Sequence, residues 1–290
     1  MARTREGAGE RGPEGHTPVE AGRGAREVGR GADGAPLDAN PCAFLAHQGA
    51  SPHVALRREP DCALLSADSD ARPFNTVFAP ALAPDGIEER VRELAGKHTA
   101  PGRAGHWWIG PSATPAGLPG LLAGLGFTPL PPIRLMTAVP VPAGAAPPGT
   151  GTRPVRSREE LEDFAEVLRA AYGAPLATAR FTHRVLASLP LGQDTPLQHF
   201  VVRAGGTPVA VASAFLHRGT CGLYNVATLP GARGRGYGGE AAARALGDAA
   251  ERGARAAMLG AEPGAMGLYR RLGFVPGGTL ARLVCPPPGP

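Results

Sequence analysis

The sequence predicts an α/β fold, a mixed central sheet flanked by helices, and predicts that arrangement twice in tandem. Three observations carry this expectation. Several strand-like runs in succession give way, after Thr228, to alternating helical and strand patterns, which implies a mixed sheet with helices on its faces. A Pro- and Gly-dense stretch over 140–152 divides the ordered part of the chain in two. The octapeptides Gly120–Phe127 and Gly267–Phe274 agree at five of eight positions, each preceded by a strand-like run.

The bulk numbers set the frame. At 290 residues the chain is long enough for two ordinary domains, and 43% hydrophobic residues can build real cores. With 42 Gly and 32 Pro, part of it must be loop-rich or unstructured. The net charge of +5 invites a nucleic-acid reading, but the basic residues are dispersed among acids and Lys97 is the only lysine. Nucleic acid is therefore not an expected partner. No apolar run approaches the roughly 18–20 residues that cross a bilayer, and the Arg-rich N-terminus has no apolar stretch to act as a secretory signal. A cytoplasmic protein without a membrane partner is expected. Cys42, Cys62, Cys221 and Cys285 lie far apart, with no C-x-x-C pair and no histidine at ligand spacing, so no metal is expected.

Residues 1–40 are rich in Gly, Arg and acids, with almost no large apolar side chains, and read as a disordered tail. The first unit, 41–139, begins with a strand over Phe74–Phe78. Asp85 precedes a helix whose buried positions are Ile87, Val91 and Leu94. A strand over His106–Ile109, a short helix from Leu118 to Leu125 stopped by Gly126, and a strand from Ile133 to Val139 complete it.

After the 140–152 linker, the second unit, 153–290, opens with a strand at Arg153–Arg156. Ser157 and Glu160 form a capping box for a helix that runs to Tyr172, stops at Gly173 and buries Leu161, Phe164, Ala165 and Leu168. A second helix covers Ala177–Leu189. Strands follow at His199–Arg203, Pro208–His217 and Cys221–Thr228, the first two joined by Gly205-Gly206. The pattern then changes to a helix from Gly236 to Arg252, a strand at Ala256–Gly260, a helix at Ala265–Leu272, and two short strands near Phe274 and at Leu280–Cys285.

The chemistry concentrates in Tyr224-Asn-Val-Ala-Thr-Leu-Pro-Gly-Ala-Arg-Gly-Arg-Gly-Tyr-Gly-Gly239, where a strand ends and a glycine-dense loop leads into a helix. The first-turn amides of a helix lack internal partners, and the helix dipole adds positive potential, so this junction favours an anion. Glycines admit a phosphate close to the backbone, and Arg233 and Arg235 add charge. Gly234, Gly236 and Gly239 also spell G-x-G-x-x-G, with Glu262 near the place of a ribose-binding acid. That dinucleotide fingerprint should open a series of βαβ units, whereas here it follows meandering strands and leaves about fifty residues. A Walker loop would need G-K-[ST], which is missing. The pattern R-x-x-G-x-G, met by Arg233, Gly236 and Gly238, fits better.

That loop, followed about thirty residues later by Gly267-Leu-Tyr-Arg-Arg-Leu-Gly-Phe274, resembles the GCN5-related N-acetyltransferase (GNAT) superfamily over residues 153–285. The resemblance implies an acyl-CoA N-acyltransferase fold and acetyl-CoA as acyl donor. It also implies a bulged fourth strand, splayed from the fifth, whose Val226, Ala227 and Thr228 backbone groups pair with the pantetheine arm. The pyrophosphate would rest on the amides of Arg233, Gly234, Arg235, Gly236, Tyr237, Gly238 and Gly239. Tyr269 takes the place of the family's general acid, and the Val226 amide that of an oxyanion donor.

The acceptor would be a primary amine of a small molecule or protein, with a non-catalytic acetyl-CoA-binding module as the alternative. Glu262 replaces a cofactor-contacting Asn or Ser of the family and is expected to turn away. Tyr224 and His217 fall on strands that border the acceptor and Glu162 on the first helix of this unit, but all three are expected to be packing or surface residues. The first unit has Leu122 in place of Tyr269 and lacks the glycine loop, as a degenerate second copy would, and it is expected to wall the acceptor site. Trp107 and Trp108 could contact substrate, with at least one of them in the core. A homodimer is left open.

Overall fold

The computed structural model describes residues 34–71, 73–98, 104–142 and 151–285. Local signals set most element ends. Ser157 Oγ accepts from the Glu160 amide at 3.1 Å, and the Glu160 carboxylate accepts from the Ser157 amide at 3.1 Å, so the capping box is closed. Gly173, at φ +62°, ends that helix in the left-handed conformation glycine adopts most readily. The helix buries Leu161, Phe164, Val167 and Leu168, while Ala165 is only half-buried.

In chain order the first half comprises α1 (Ala39–Gln48), β1 (Ala55–Glu59), β2 (Cys62–Ser66), β3 (Thr76–Phe78), α2 (Ile87–His98), β4 (His106–Ile109), α3 (Leu118–Gly124) and β5 (Thr128–Ala138). The second comprises β6 (Arg153–Pro154), α4 (Arg158–Tyr172), α5 (Leu176–Ser188), β7 (Leu197–Ala204), β8 (Thr207–His217), β9 (Thr220–Thr228), α6 (Tyr237–Glu251), β10 (Ala256–Ala261), α7 (Met266–Arg271) and β11 (Val275–Val284). Two expected strands after Phe274 are thus one, and β5 starts five residues earlier than the sequence suggested. No helix among the described residues is long and apolar enough to cross a membrane.

The strands form one mixed 11-stranded sheet in the order β1-β2-β3-β4-β11-β5-β10-β9-β8-β7-β6. The repeated octapeptides explain its centre. In each half a strand, a short helix and a final strand follow one another, β4-α3-β5 and β10-α7-β11. The final strands are exchanged. β5 pairs antiparallel with β10 of the second half, from Ala138↔Ala257 to Arg134↔Ala261. β11 pairs antiparallel with β4 of the first half, from Ala281↔Ile109 to Val284↔His106. The two exchanged strands also pair with each other, antiparallel, in the middle.

The cores follow the exchange. Met136 and Ala138 of β5 are buried with Phe200, Leu246 and Leu259 under α6. Leu283 and Cys285, at the other end of the chain, are buried with Val91, Leu94, Trp107 and Leu122 under α2 and α3. On the opposite face Leu45 of α1 packs with Phe181 and Val185 of α5. The two halves are consecutive in sequence, but each completes the other's core.

The tail expected over 1–40 lies mostly outside the described residues, as do 143–150 of the expected linker. Positions 34–40 are structured, because packing there offsets the cost of ordering them. Leu37 is buried against the paired glycines of β11: a Cβ on Gly277 or Gly278 would lie 3.1 or 3.2 Å from its Cδ1. Asp38 accepts from the Ser112 hydroxyl at 2.7 Å and amide at 3.2 Å.

Leu283→Ala should lower the unfolding free energy by about 2–5 kcal/mol in urea titrations, despite its place two residues from the end of the described chain. Residues 34–142 and 151–285, produced separately, are expected to fail to fold. Produced together, they should co-purify with native circular dichroism.

Candidate active site

The site starts from a defect in the sheet. Opposite β8, the register on β9 steps from Val211↔Ala227 to Ser213↔Tyr224, so β9 spends one extra residue around Asn225. Asn225 sits at φ +53°, a conformation Asn tolerates better than most residues. β9 pairs in parallel with β10 only from Thr220↔Ala256 to Leu223↔Leu259, and the two strands separate where the bulge begins. The Leu229 amide donates to the Val209 carbonyl of β8 at 2.9 Å. Strand alternation then turns the polar groups of Val226 and Thr228 to the open side and those of Ala227 back toward β8. The Tyr172 hydroxyl, 3.5 Å from the Val226 carbonyl, agrees with that direction. Of the three residues expected to face the gap, the backbone of Ala227 does not.

A buried polar chain holds the bulge. Asn225 Nδ2 donates to Ser213 Oγ at 3.2 Å, and Ser213 Oγ lies 2.8 Å from His199 Nδ1. Ser213 and His199 are buried, the latter against the Phe164 ring at 4.6 Å. Burial, then the His47 ring, pushes the His199 imidazole down to about 3. It is therefore neutral near pH 7, and its Nδ1 can accept the Ser213 hydroxyl proton. None of these three residues was singled out from sequence, because their meeting depends on the register of three strands.

The glycine loop lies at the end of β9. Gly234 and Gly236 have φ of +78° and +87°, which a β-carbon would strain. The Glu240 amide donates to the Gly236 carbonyl at 3.0 Å, so Tyr237, Gly238 and Gly239 supply the first-turn amides of α6 ahead of that bond. A Cβ on Gly238 would lie 2.9 Å from Thr228 Oγ1, and one on Gly239 would lie 3.3 Å from Leu268 Cδ1. The loop is thus pressed against both β9 and α7. Arg235 is exposed. Arg233, expected simply to add charge, also braces the loop. Its Nε donates to the Thr228 carbonyl at 3.3 Å and its Nη2 to the Ala171 carbonyl at 3.0 Å, tying the loop to the end of α4. Glu240 is buried and accepts from the Thr152 hydroxyl.

A cleft of about 310 Å³ opens at the splayed strands. Tyr269 of α7 lines it and is buried, with only 6% of its surface exposed. Burial, then the Tyr172 phenol, pushes the Tyr269 phenol up to about 12, so it holds its proton through the neutral range. Tyr224, Asn225 and Val226 also line the cleft. Glu262, expected to turn away from the cofactor's phosphates, lines the cleft, and its Oε1 lies 3.4 Å from Arg282 Nη2. Arg282 supplies a countercharge from β11, which the order of residues along the chain does not reveal. Glu162 instead borders an outer groove between α4 and α5, and His217 a small pocket beside Leu37, away from this cleft.

The first half supplies a wall. Pro41, Trp108, Ile133 and Leu135 line the cleft with the second-half residues. Trp107, its neighbour in β4, points into the core, so strand alternation gives the two tryptophans different roles. Helix α1 is fastened over β9: Asn40 accepts from the Tyr224 hydroxyl at 2.6 Å and donates to the Thr220 carbonyl at 3.0 Å, while Phe44 stacks on Tyr224 at 4.0 Å.

Residues 161–274 match the acetyltransferase (GNAT) family model. The chain shares its acyl-CoA N-acyltransferase fold with solved structures. A GCN5-related N-acetyltransferase from Kribbella flavida is 25% identical, with 87% of this chain and 96% of that one covered and a TM-score of 0.64. A second, from Sphaerobacter thermophilus, is 19% identical over 80% of this chain and 82% of that one, with a TM-score of 0.57. A tandem GNAT protein from the clavulanic acid biosynthesis pathway is 18% identical over 91% of both chains, with a TM-score of 0.58. No curated protein sequence is similar enough to match.

The depressed His199 value has a defined sign. Between about pH 6.5 and 3 the unfolded chain binds a proton at this residue that the folded one does not, so stability falls as pH falls. Each pH unit across that window should cost up to about 1.4 kcal/mol, and His199→Gln should flatten the slope in urea titrations at several pH values. Asn225→Ala, which loses both the hydrogen bond and an Asn-tolerant backbone, should destabilise by about 1–3 kcal/mol, more than Asn225→Gly.

Proposed function

We propose that this protein is an acetyl-CoA-dependent N-acetyltransferase that transfers the acetyl group to a primary amine of a small molecule or protein, by direct attack in a ternary complex. The observation that carries this reading is the convergence of the Asn225 bulge, the glycine loop and Tyr269 on one opening between β9 and β10. Catalysis belongs to the second half, 153–290. The first, 41–139, is a degenerate copy: its Leu122, at the position of Tyr269, is fully buried in its core.

The donor fits the residues present. The outward groups of Val226 and Thr228 suit the amides of a pantetheine arm, and the first-turn amides from Tyr237 to Gly239, with the α6 dipole, suit a pyrophosphate. Arg235 adds positive potential, and Arg233, fixed by its carbonyl contacts, adds the same from the loop's base. Acetyl-CoA supplies a thioester activated toward an amine. The Val226 amide stabilises the developing oxyanion. Tyr269 gives its proton to the departing thiolate as the C–S bond breaks and the C–N bond forms. The proton released by the acceptor nitrogen restores the phenol. The cleft walls hold donor and acceptor together, so orientation supplies much of the acceleration. None of these steps calls for a metal.

A non-catalytic acetyl-CoA-binding role is the alternative, and the placement of Tyr269 on the cleft favours the enzyme. Calorimetry should detect acetyl-CoA binding at micromolar protein; its absence would overturn both readings. With an amine library and thiol detection, Tyr269→Phe should lower kcat by about 100-fold while leaving acetyl-CoA binding in place. Because the phenol is pushed up to about 12, ionisation of Tyr269 should cause no loss of kcat below about pH 11.

A further inference from the structure

Ionisable groups along the cleft are few. Three are tyrosines, Tyr172, Tyr224 and Tyr269; among the described lining residues Glu262 alone is an acid, and none is a lysine, arginine or histidine. The rest of the wall is apolar, with Trp108 and Ile133 from the first half and Leu223 and Leu280 from the second. Arg282 is anchored on the Pro131 carbonyl at 2.6 and 3.1 Å and reaches Glu262 only at 3.4 Å. The Glu262 side chain keeps 62% of its surface exposed, so the carboxylate remains open to a second cation. The ring of Tyr172 stands exposed at the rim with its hydroxyl turned inward, and lost hydration, then the Glu262 carboxylate, push that phenol up.

We infer that the acceptor is a compact primary amine on an apolar or aromatic body, drawn in as the ammonium by Glu262 and the faces of Trp108 and Tyr172 and losing one proton to solvent before it attacks, and that amines bearing a carboxylate are rejected. This rests on the acetyltransferase reading above and adds the substrate class to it. An ammonium is attracted by a carboxylate and by aromatic faces together. A carboxylate on the acceptor would meet Glu262, and the neighbouring cation, Arg282, is already engaged by the Pro131 carbonyl and by Glu262 itself; such repulsion is an efficient source of selectivity. Size points the same way. At about 310 Å³ the cleft lies near the lower end of the roughly 300–1,000 Å³ range of ligand pockets. It must also admit the acetyl end of the donor. Gly260 is part of its floor, and a Cβ there would lie 2.6 Å from Ile133 Cγ2, so the two halves meet tightly beneath the acceptor.

The test is a matched-pair assay on the full chain with acetyl-CoA. Phenethylamine is compared with phenylalanine, isoamylamine with leucine, and both amines with a lysine-containing peptide. The amines without a carboxylate should be favoured by roughly tenfold or more in kcat/KM, and Glu262→Gln should shrink that preference by roughly tenfold. The preference is a ratio within one protein, so a partly folded variant still reports it. Equal use of the carboxylated partner, preference for the peptide, thiol release with none of these amines, or a ratio unmoved by Glu262→Gln would each overturn the inference. Acetyl-CoA binding measured on the same sample separates the two failures: if the donor binds, the substrate class alone is wrong, and if it does not, the acetyltransferase reading falls with it.

Discussion

The antiparallel pairing of β5 with β11 joins two half-sheets that would each be incomplete without it. Each of these strands is the last of its own half, and each is also the strand that the other half needs. Through them, β4 and β10 belong to one sheet, and Leu283 and Met136 lie in cores far from their chain neighbours. An unpaired edge at β4 or β10 would expose a row of backbone donors and acceptors. The exchange removes both edges at once. The cleft follows from it, since Ile133 and Leu135 reach its wall because β5 runs beside β10, and Leu280 because β11 lies on the far side of β5.

The site itself is built mainly from departures in backbone regularity. The bulge at Asn225 separates β9 from β10, and two glycines with positive φ bring the chain round to α6. Such features are costly alone and persist where surrounding groups determine them. The His199–Ser213–Asn225 chain does so on one side, and Arg233, bound to the carbonyls of Thr228 and Ala171, on the other. Tyr269 contributes a buried phenol to the cleft. Its burial keeps the phenol proton in place.

The first half, though it lacks a glycine loop, is not a detachable appendage. Asn40 and Phe44 clasp Tyr224, and Pro41 and Trp108 face the cleft. The core of this half is filled, with Leu122 buried at the position that Tyr269 takes in the second octapeptide. Its remaining contribution is shape, apolar surface and support for the neighbouring sheet.

Everything legible along the chain was local. The capping box at Ser157, the left-handed stop at Gly173, the glycine loop and the strand–helix–Gly-Phe repeat are each encoded within a few residues, because hydrogen-bonding reach and allowed φ are properties of short segments. The fold class and the place of Tyr269 followed from them. Folding added what depends on register and on contacts between distant parts of the chain: the exchange of β5 and β11, the outward turn of Val226 but not Ala227, and the separate roles of Trp107 and Trp108. It also brought Glu262 into the cleft beside Arg282 and joined the polar chain beneath Asn225. A one-residue slip in a strand reverses every side chain on it, and nothing within a short segment fixes which distant strand will lie alongside.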